Sequence, residues 1–227
     1  MSLKIAIMQP YFFPYAGYFR LFAAADIFVA LDCVQFPRRG WVHRNQLTDN
    51  NGESQWLTLP LIKGDRDTTR IHDLQFQPDA LHLMKEQFRR FTCLTNIQSQ
   101  HSELSTSITN FESSPVQYLV NNLQTTTKLL GISKPIIFSS ELEIPIELKA
   151  QDRIIEIAKR AGAAHYINAP GGREIYDAQS FLNAGLTLNF LPDYKGSFKS
   201  VLERILTEEP EKIAQEIISN TSLDRAN

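Results

Sequence analysis

Short apolar runs alternate with helix-like apolar spacing at both ends of the chain. The N-terminal pattern predicts a buried strand at Lys4–Met8, a helix at Pro14–Ala25 and a second strand at Asp26–Leu31. A strand, a helix and a strand in such quick succession form a βαβ unit, which implies a parallel sheet. The stretches 135–138 and 186–191 and the short stretch 165–168 predict further strands.

The middle of the chain follows a different pattern. Asn50-Asn51-Gly52 separates two strand-like runs at 46–48 and 55–60, and Asn-Gly between such runs is typical of a β-hairpin turn. The polar stretch Lys63–Thr69 predicts a loop, and Ile71–Phe76 predicts another strand.

Helical spacing fills most of the remainder. Helices are predicted at 78–91, 116–130, 148–161, 173–183, 197–206 and 210–219, and the weakly patterned stretch 92–114 predicts a loop with a short helix. We therefore expect one α/β domain over residues 1–227, built on a mostly parallel, Rossmann-like doubly wound sheet. A small antiparallel β-hairpin insert is expected at about 46–76, and a helical C-terminal extension at about 196–227.

Composition narrows the functional classes. Hydrophobic residues make up 43% of the 227, which is enough for a core, and the net charge of −2 argues against a broad grip on nucleic acid. The two cysteines form no CxxC pair, and the five histidines are not at metal-ligand spacings, so no metal is predicted. Without a signal-peptide pattern or an apolar run of ~20 residues, a cytoplasmic protein without a membrane span is expected.

The first candidate site is the aromatic junction between the first strand and the helix after it. Strand ends that lead into helices bind ligands in many α/β proteins. The spacing of Tyr15-Ala16-Gly17-Tyr18 matches the His-x-Gly-His element of the nucleotidyltransferase and class I synthetase superfamily, with tyrosine in place of both histidines. A turn that simply packs one edge of the core is the alternative. The candidate binding residues are Gln9, Tyr11, Tyr15, Gly17 and Tyr18.

The second candidate site is the basic segment just after the second predicted strand. Arginine forks match the geometry of phosphate and carboxylate, tryptophan offers a stacking face, and His43 is placed for proton transfer near pH 7. Asp32 is expected to orient His43, and the two form the predicted catalytic pair. A solvated basic loop anchored by tryptophan is the alternative. The predicted binding residues are Arg38, Arg39, Trp41, Arg44 and Asn45.

Two further turns carry weaker signals. Gly171, Gly172 and Arg173 follow a predicted strand, in a geometry that can bind an anion. Lys195–Ser200 loosely resembles the Lys-Met-Ser-Lys-Ser loop of class I synthetases, although a serine that caps a helix explains it more simply. Dinucleotide, Walker and nucleophile-elbow motifs are absent from the sequence.

The sequence resembles the WbqC-like protein family over roughly residues 4–191. The resemblance rests on Ile-Ala-Ile-Met-Gln-Pro-Tyr-Phe-Phe-Pro-Tyr at 5–15, Arg39-Gly40-Trp41 with Arg44-Asn45, and Gly171-Gly172 with Glu174–Asp177. It weakens after Tyr194, where family members tend to carry an Asn-Leu-Ser-Ile-Ile-Asp-like stretch. The resemblance implies a bacterial protein associated with surface-polysaccharide synthesis, including O-antigen, and supplies no catalytic mechanism.

These observations leave three functions open. The first is a group transferase acting on an activated amino sugar, with the arginines on a diphosphate and His43 as general base. The second is a nucleotidyl- or aminoacyl-adenylate-type transferase that binds ATP at the Tyr-x-Gly-Tyr turn. The third is a non-catalytic sugar-nucleotide-binding or scaffold protein. The expected ligands are a nucleotide, a nucleotide-sugar or an acyl or aminoacyl donor. Other glycan-biosynthesis proteins are candidate partners, and nucleic acid is not expected to bind.

Overall fold

A computed structural model describes residues 2–95 and 97–225 and contains a six-stranded sheet and a separate hairpin. The strands of the sheet, in chain order, are β1 (Lys4–Met8), β2 (Ile27–Ala30), β5 (Ile136–Phe138), β6 (His165–Asn168), β7 (Thr187–Phe190) and β8 (Asp224–Arg225). The hairpin consists of β3 (Arg44–Thr48) and β4 (Ser54–Thr58).

The spatial order of the sheet is β5-β2-β1-β6-β7-β8, and every pairing is parallel except that of β8 with β7. The chain moves outward from β1 to β2 and β5, then returns to β6 on the other side of β1. This reversal confirms the predicted doubly wound, Rossmann-like sheet. It also places a topological switch point between β1 and β6, where α/β proteins of this kind commonly bind ligands.

The helices are α1 (Arg20–Ala24), α2 (Ala80–Phe88), α3 (Ile97–Gln100), α4 (Ser102–Thr109), α5 (Pro115–Leu129), α6 (Ala150–Arg160), α7 (Ala178–Asn183), α8 (Val201–Thr207) and α9 (Pro210–Ser219). Short 3-10 turns lie at Ala16–Phe19, Ile71–Asp73, Thr92–Leu94, Ser139–Leu142 and Pro170–Gly172. Within the described ranges, none of these helices has the length and apolarity needed to cross a membrane.

Both faces of the sheet are buried, because successive side chains of a strand point to opposite faces. Ile5 and Ile7 pack in a cluster with Ile157 of α6 and Phe181 of α7. Ala6 belongs instead to a larger cluster, which takes its members from the hairpin, α5, α8 and α9 among others. Burial on two faces explains why the central strands β1 and β2 are apolar runs, whereas β7 alternates between buried and half-buried residues.

The hairpin forms where the Asn-Gly signal predicts it. Gly52 has a positive φ of 85°, and the Asp49 carboxylate accepts hydrogen bonds from the amides of Asn51 and Glu53. Helix α2 is attached to the hairpin through Gln87, whose side chain accepts from the Thr58 amide and donates to the Thr58 carbonyl. The insert is therefore a small layer of its own, made of β3, β4 and α2.

Some predicted elements differ in the structure. The predicted strand at 71–76 is wrong: the Arg70 amide donates to the Asp73 carboxylate, and a 3-10 turn forms at Ile71–Asp73. The predicted helix at 173–183 begins only at Ala178, because the Asp177 side chain caps it by accepting from the Ser180 amide. The predicted helix over Pro14–Ala25 is divided into the turn Ala16–Phe19 and the short α1.

Candidate functional site

A cavity of about 680 Å³ opens between the basic segment and the hairpin insert. Its walls come from Phe36, Arg38 and His43, from the end of β4 with the residues after it, and from the side of α2 that carries Leu83 and Gln87. Most of this wall is apolar and a few polar groups converge on it, as in typical small-molecule sites.

His43 is the ionisable group in this cavity with the most perturbed acidity. Burial, and to a lesser extent the charge of Arg44, lower the pKa of the imidazole from 6.5 to about 4. The ring lies edge-on to Phe36, with centroids 4.9 Å apart. Its Nδ1 atom is buried and has no hydrogen-bond partner among the described residues. His43 is therefore neutral at pH 7 and has an unused ring nitrogen.

A depression of about 470 Å³ adjoins the cavity, and Phe36 and Arg38 line both. The rest of its wall is Gln35, Arg39 and Arg66. No carboxylate within the described part of the chain lies at ion-pair distance from its three arginines. The Asp65 carboxylate feels the charge of Arg38 from beyond ion-pair distance. With no carboxylate in direct contact, the three guanidinium groups still create a positive potential suited to an anion such as a diphosphate.

The loop at 62–70 brings Arg66 into this depression. Gln35 donates through its side-chain amide to the Arg66 carbonyl (3.1 Å), and Arg38 donates to the Gly64 carbonyl. Inside the loop, Asp65 accepts from the amides of Asp67 and Thr68, and these bonds, with one from the Thr68 hydroxyl, lower the pKa of its carboxyl. The loop is thus held by its own polar groups, and the Arg66 side chain is left exposed.

Arg44 does not join the arginine depression. Its guanidinium lies 4.1 Å above the ring of Trp56 and donates to the Arg39 carbonyl at 3.0 Å. The ring of Trp41 is 5.4 Å from that of Trp56, and 43% of Trp41 is exposed. Arg44 and Trp41 therefore form an aromatic surface with Trp56, beside the cavity rather than inside it.

The expected pairing of Asp32 with His43 is not formed. The Asp32 carboxylate is buried and accepts from the Ser139 hydroxyl (2.8 Å), the Ser140 amide (2.9 Å) and the Ser140 hydroxyl (2.6 Å). Since both of its oxygens are occupied by the turn after β5, Asp32 joins two neighbouring strand ends. It does not orient the imidazole.

The aromatic junction after β1 is largely satisfied by its own contacts. Tyr18 is buried, and its hydroxyl donates to the Gln9 carbonyl at 2.8 Å. A β-carbon on Gly17 would overlap the rings of Tyr15 and Tyr194, so this glycine admits aromatic rings rather than a nucleotide. Tyr11 packs against Tyr18, with centroids 5.5 Å apart, and burial raises the pKa of its phenol.

Asn45 connects this junction to the basic segment. Its buried amide donates to the carbonyls of Phe12 (3.1 Å) and Phe13 (2.5 Å), and Phe13 has a positive φ of 44° that is rare for such a residue. The Phe12 amide also donates to the Trp41 carbonyl at 2.9 Å. Asn45 therefore positions a strained turn and leaves no donor for a ligand. Gln9, Tyr11, Tyr15 and Tyr18 line neither the His43 cavity nor the arginine depression.

Sequence comparisons place the chain among known proteins. The model of the WbqC-like protein family matches residues 9–205. The chain belongs to the WbqC-like protein family. It is similar to the uncharacterized protein Rv1507c of Mycobacterium tuberculosis (strain ATCC 25618 / H37Rv), with 26% identity over 210 residues that cover 85% of this chain and 83% of that protein. No solved structure matches the chain significantly.

The WbqC-like match includes the turn after β6, whose residues have separate roles. Gly171 is exposed with open space around it, whereas Gly172 is buried against the Asn168 side chain. Arg173 forms an ion pair with Asp224 (2.7 Å) and lies over the ring of Phe190. Its charge is therefore already balanced by β8, and it does not meet the three arginines of the depression.

The match with the WbqC-like family ends inside α8, close to the Lys195–Ser200 segment. Ser200 caps α8 by accepting from the Leu202 amide (3.3 Å), and it also donates to the Phe13 carbonyl (2.8 Å). Lys199 pairs with Glu203 at 2.7 Å. The predicted helix at 197–206 thus begins at Val201, and capping accounts for Ser200.

Sequence reasoning missed two residues of the arginine depression, Gln35 and Arg66. Arg66 lies in a polar loop 27 positions after Arg39, and no local pattern connects the two. The only hint in the sequence is that the stretch 63–70 contains three basic residues and follows another basic segment. The contribution of Gln87 to the cavity depends on the packing of α2 on the hairpin and has no signature in the sequence.

Proposed function

We propose that this WbqC-like protein transfers a group to or from an activated sugar, most directly an amino-sugar nucleotide. The pathway would be the synthesis of bacterial surface polysaccharide of the O-antigen type. The observation that carries the proposal is the shared wall of the two sites. Phe36 and Arg38 border both the His43 cavity and the arginine depression, so one ligand can occupy both.

In this arrangement the diphosphate of the ligand binds at Arg38, Arg39 and Arg66. Guanidinium groups bind phosphate oxygens through paired, charge-assisted hydrogen bonds. The sugar then lies in the adjoining cavity, against Phe36 and the end of β4. The cavity volume of about 680 Å³ is in the range of small-molecule sites and accommodates a monosaccharide.

His43 is the proposed general base. When the sugar is transferred from its nucleotide, an amine or hydroxyl of the acceptor forms a bond to the anomeric carbon, and the bond from that carbon to the diphosphate breaks. The nucleoside diphosphate leaves while held by the arginines, and the lone pair of the neutral imidazole accepts the proton that the attacking group loses. A pKa of about 4 is low for this task, but an anion bound at the neighbouring arginines would favour the protonated imidazole and raise the pKa. Ligand binding would thus activate the base.

The low pKa of His43 also favours a second candidate, a non-catalytic sugar-nucleotide-binding or scaffold protein. An efficient base at pH 7 has a pKa near the working pH, and the pKa of His43 is about 4. This candidate uses the same arginine depression. The two candidates differ in turnover: a binding or scaffold protein would bind the ligand without converting any donor.

A thermal-shift screen separates these readings. UDP-, dTDP-, GDP- and CDP-sugars are tested beside ATP with magnesium, and a ligand at a hundredfold excess over its dissociation constant adds about 2.7 kcal/mol of stability. We expect a sugar nucleotide to raise the melting temperature. A shift with ATP alone would contradict the proposal and favour the adenylate-type transferase, which the packing around Gly17 does not support.

The His43→Ala variant tests the catalytic role. With the sugar nucleotide found in the screen, we expect turnover to fall by roughly 10²–10⁴-fold while affinity is nearly unchanged. His82→Ala, an exposed histidine of α2, is the matched control and keeps its turnover. Unchanged turnover in His43→Ala would remove this residue from the mechanism, and binding without turnover in the wild type would favour the scaffold.

A further inference from the structure

Both tryptophans of the chain lie on one surface next to the cavity. The rings of Trp41 and Trp56 are 5.4 Å apart with their planes inclined at 43°, and Trp41 keeps 43% of its surface exposed. Trp56 is half-buried. Large aromatic side chains are costly to leave in water, so an exposed indole resting on a half-buried one is a candidate contact surface. We call Trp41, Trp56, Arg44 and Gln46 the tryptophan platform.

Polar groups surround the two rings. Gln46 is the direct cross-strand partner of Trp56, and its side-chain amide has no hydrogen-bond partner among the described residues. Arg44 covers one side of Trp56, and Arg39, whose carbonyl accepts from Arg44, is itself exposed. The surface therefore combines apolar ring faces with amide and guanidinium donors at their edges.

Arg44 of the tryptophan platform is the neighbour of two residues of the cavity wall. Thr58 lines the cavity and is the cross-strand partner of Arg44 in the hairpin. His43 lines the cavity too and directly precedes Arg44 in the chain. A ligand resting on the tryptophans would thus end beside the proposed base.

We propose that the tryptophan platform is a saccharide-binding subsite that holds the acceptor glycan for the reaction at His43. A pyranose ring has an apolar C–H face that stacks on indole and a rim of hydroxyl groups that hydrogen-bond to amides and guanidinium groups. An apolar protein partner would leave the Gln46 amide and the arginines buried without acceptors, which costs free energy. This inference rests on the proposed function, because only that function makes a glycan the second substrate.

The chain provides its own reporter, since its only tryptophans are Trp41 and Trp56. The probes are N-acetylglucosamine, chitotetraose, oligogalacturonate and an O-chain oligosaccharide freed from lipid, each at millimolar concentration. Intrinsic fluorescence and the two indole N–H resonances, assigned with Trp41→Phe and Trp56→Phe, report on binding. We expect at least one probe to shift both resonances in a saturable way and to protect the emission from acrylamide quenching.

Matched variants locate the effect. Trp41→Ala removes an exposed ring, and we expect it to weaken saccharide affinity by tenfold or more while circular dichroism stays unchanged. Gln46→Ala should weaken saccharide affinity by a smaller factor, and it leaves both tryptophan rings in place. Phe198→Ala, which removes another exposed aromatic ring far along the chain, should leave the indole shifts as they are.

The outcomes separate this inference from the proposed function. Indole resonances that none of the saccharides moves would overturn the platform, even if a sugar nucleotide binds and reacts. Saccharide binding with no response to any sugar nucleotide would keep the platform as a glycan-binding surface and overturn the transferase. Equal affinity in Trp41→Ala and wild type would also overturn the platform.

Discussion

The aromatic junction after β1 and the basic segment after β2 were both predicted to bind a ligand, but their polar groups differ in the structure. At the junction, the Tyr18 hydroxyl, the Asn45 amide and the space beside Gly17 are all occupied by the protein itself. At the basic segment and the loop at 62–70 beside it, the guanidinium groups of Arg39 and Arg66 and the His43 Nδ1 atom have no such partners among the described residues. Unsatisfied polar groups beside a cavity distinguish a candidate site from a well-packed turn.

Of the variants that distinguish the two regions, we expect Asn45→Ala to lose the most stability, because Asn45 has a structural role. Asn45→Ala removes the donors to the Phe12 and Phe13 carbonyls and should lower the free energy of unfolding by ~2–4 kcal/mol. Urea denaturation measures the change. Gln46→Ala, the next residue on the half-buried face of β3, is the control and should stay within about 0.5 kcal/mol. An equal loss of unfolding free energy in both variants would contradict a special structural role for Asn45.

Two of the three predicted binding glycines, Gly17 and Gly171, should respond differently to substitution by alanine. Gly17→Ala forces a β-carbon into the Tyr15 and Tyr194 rings and should cost ~1–3 kcal/mol. Gly171→Ala meets open space at a position without a positive φ and should be neutral, or stabilise by ~0.4–1 kcal/mol. Melting temperatures of the two variants test this. A stable Gly17→Ala protein would mean that the junction has room for a ligand.

The acidity of His43 predicts a pH dependence of stability. Between about 6.5 and 4, the unfolded chain binds a proton at this imidazole that the folded chain does not, so stability should fall as pH decreases through that window. Because the ring is partly exposed, we expect a loss of only about 1–2 kcal/mol. His43→Gln should flatten the curve of unfolding free energy against pH. A wild-type curve that the substitution leaves unaltered would show that His43 is not desolvated.

The smallest effect on stability is expected at Arg66. Arg66→Ala removes an exposed guanidinium with no partner among the described residues and should change the unfolding free energy by less than about 0.5 kcal/mol. Arg20→Ala is the contrasting variant, since buried Arg20 donates to the carbonyls of Gly17, Pro192 and Asn220 and its loss should be strongly destabilising. Chemical denaturation of both variants tests the contrast. A large loss in Arg66→Ala would make this arginine structural.

Local patterns were sufficient for most of the fold. The strands β1, β2, β5, β6 and β7 and the Asn-Gly turn are encoded by neighbouring residues, and each was predicted in the right place. The stretch 71–76 has a strand-like composition, but the Arg70–Asp73 hydrogen bond turns its backbone instead. The last strand, β8, consists of two residues that pair with β7, and such a short element has no pattern to detect.

The site was predictable only in part. Arg38, Arg39 and His43 carry their chemistry in their residue types, and the structure places them on one continuous wall. The partner of Asp32 is 107 positions away at Ser139, and Arg66 arrives on a loop held by Gln35. Contacts across such distances depend on the whole topology. Aromatic richness at the β1 junction also indicates packing as readily as binding, and only the geometry separates the two.

Calorimetric titration of the sugar nucleotide that most raises the melting temperature tests whether the ligand binds at the arginine depression or at the β1 junction. It compares wild type with Arg66→Ala in the arginine depression and Tyr11→Phe at the β1 junction. We expect Arg66→Ala to weaken binding by roughly tenfold to a hundredfold, through lost charge-assisted hydrogen bonds, and Tyr11→Phe to bind as the wild type does. Unchanged affinity in Arg66→Ala, together with a loss in Tyr11→Phe, would contradict the account and return the site to the junction.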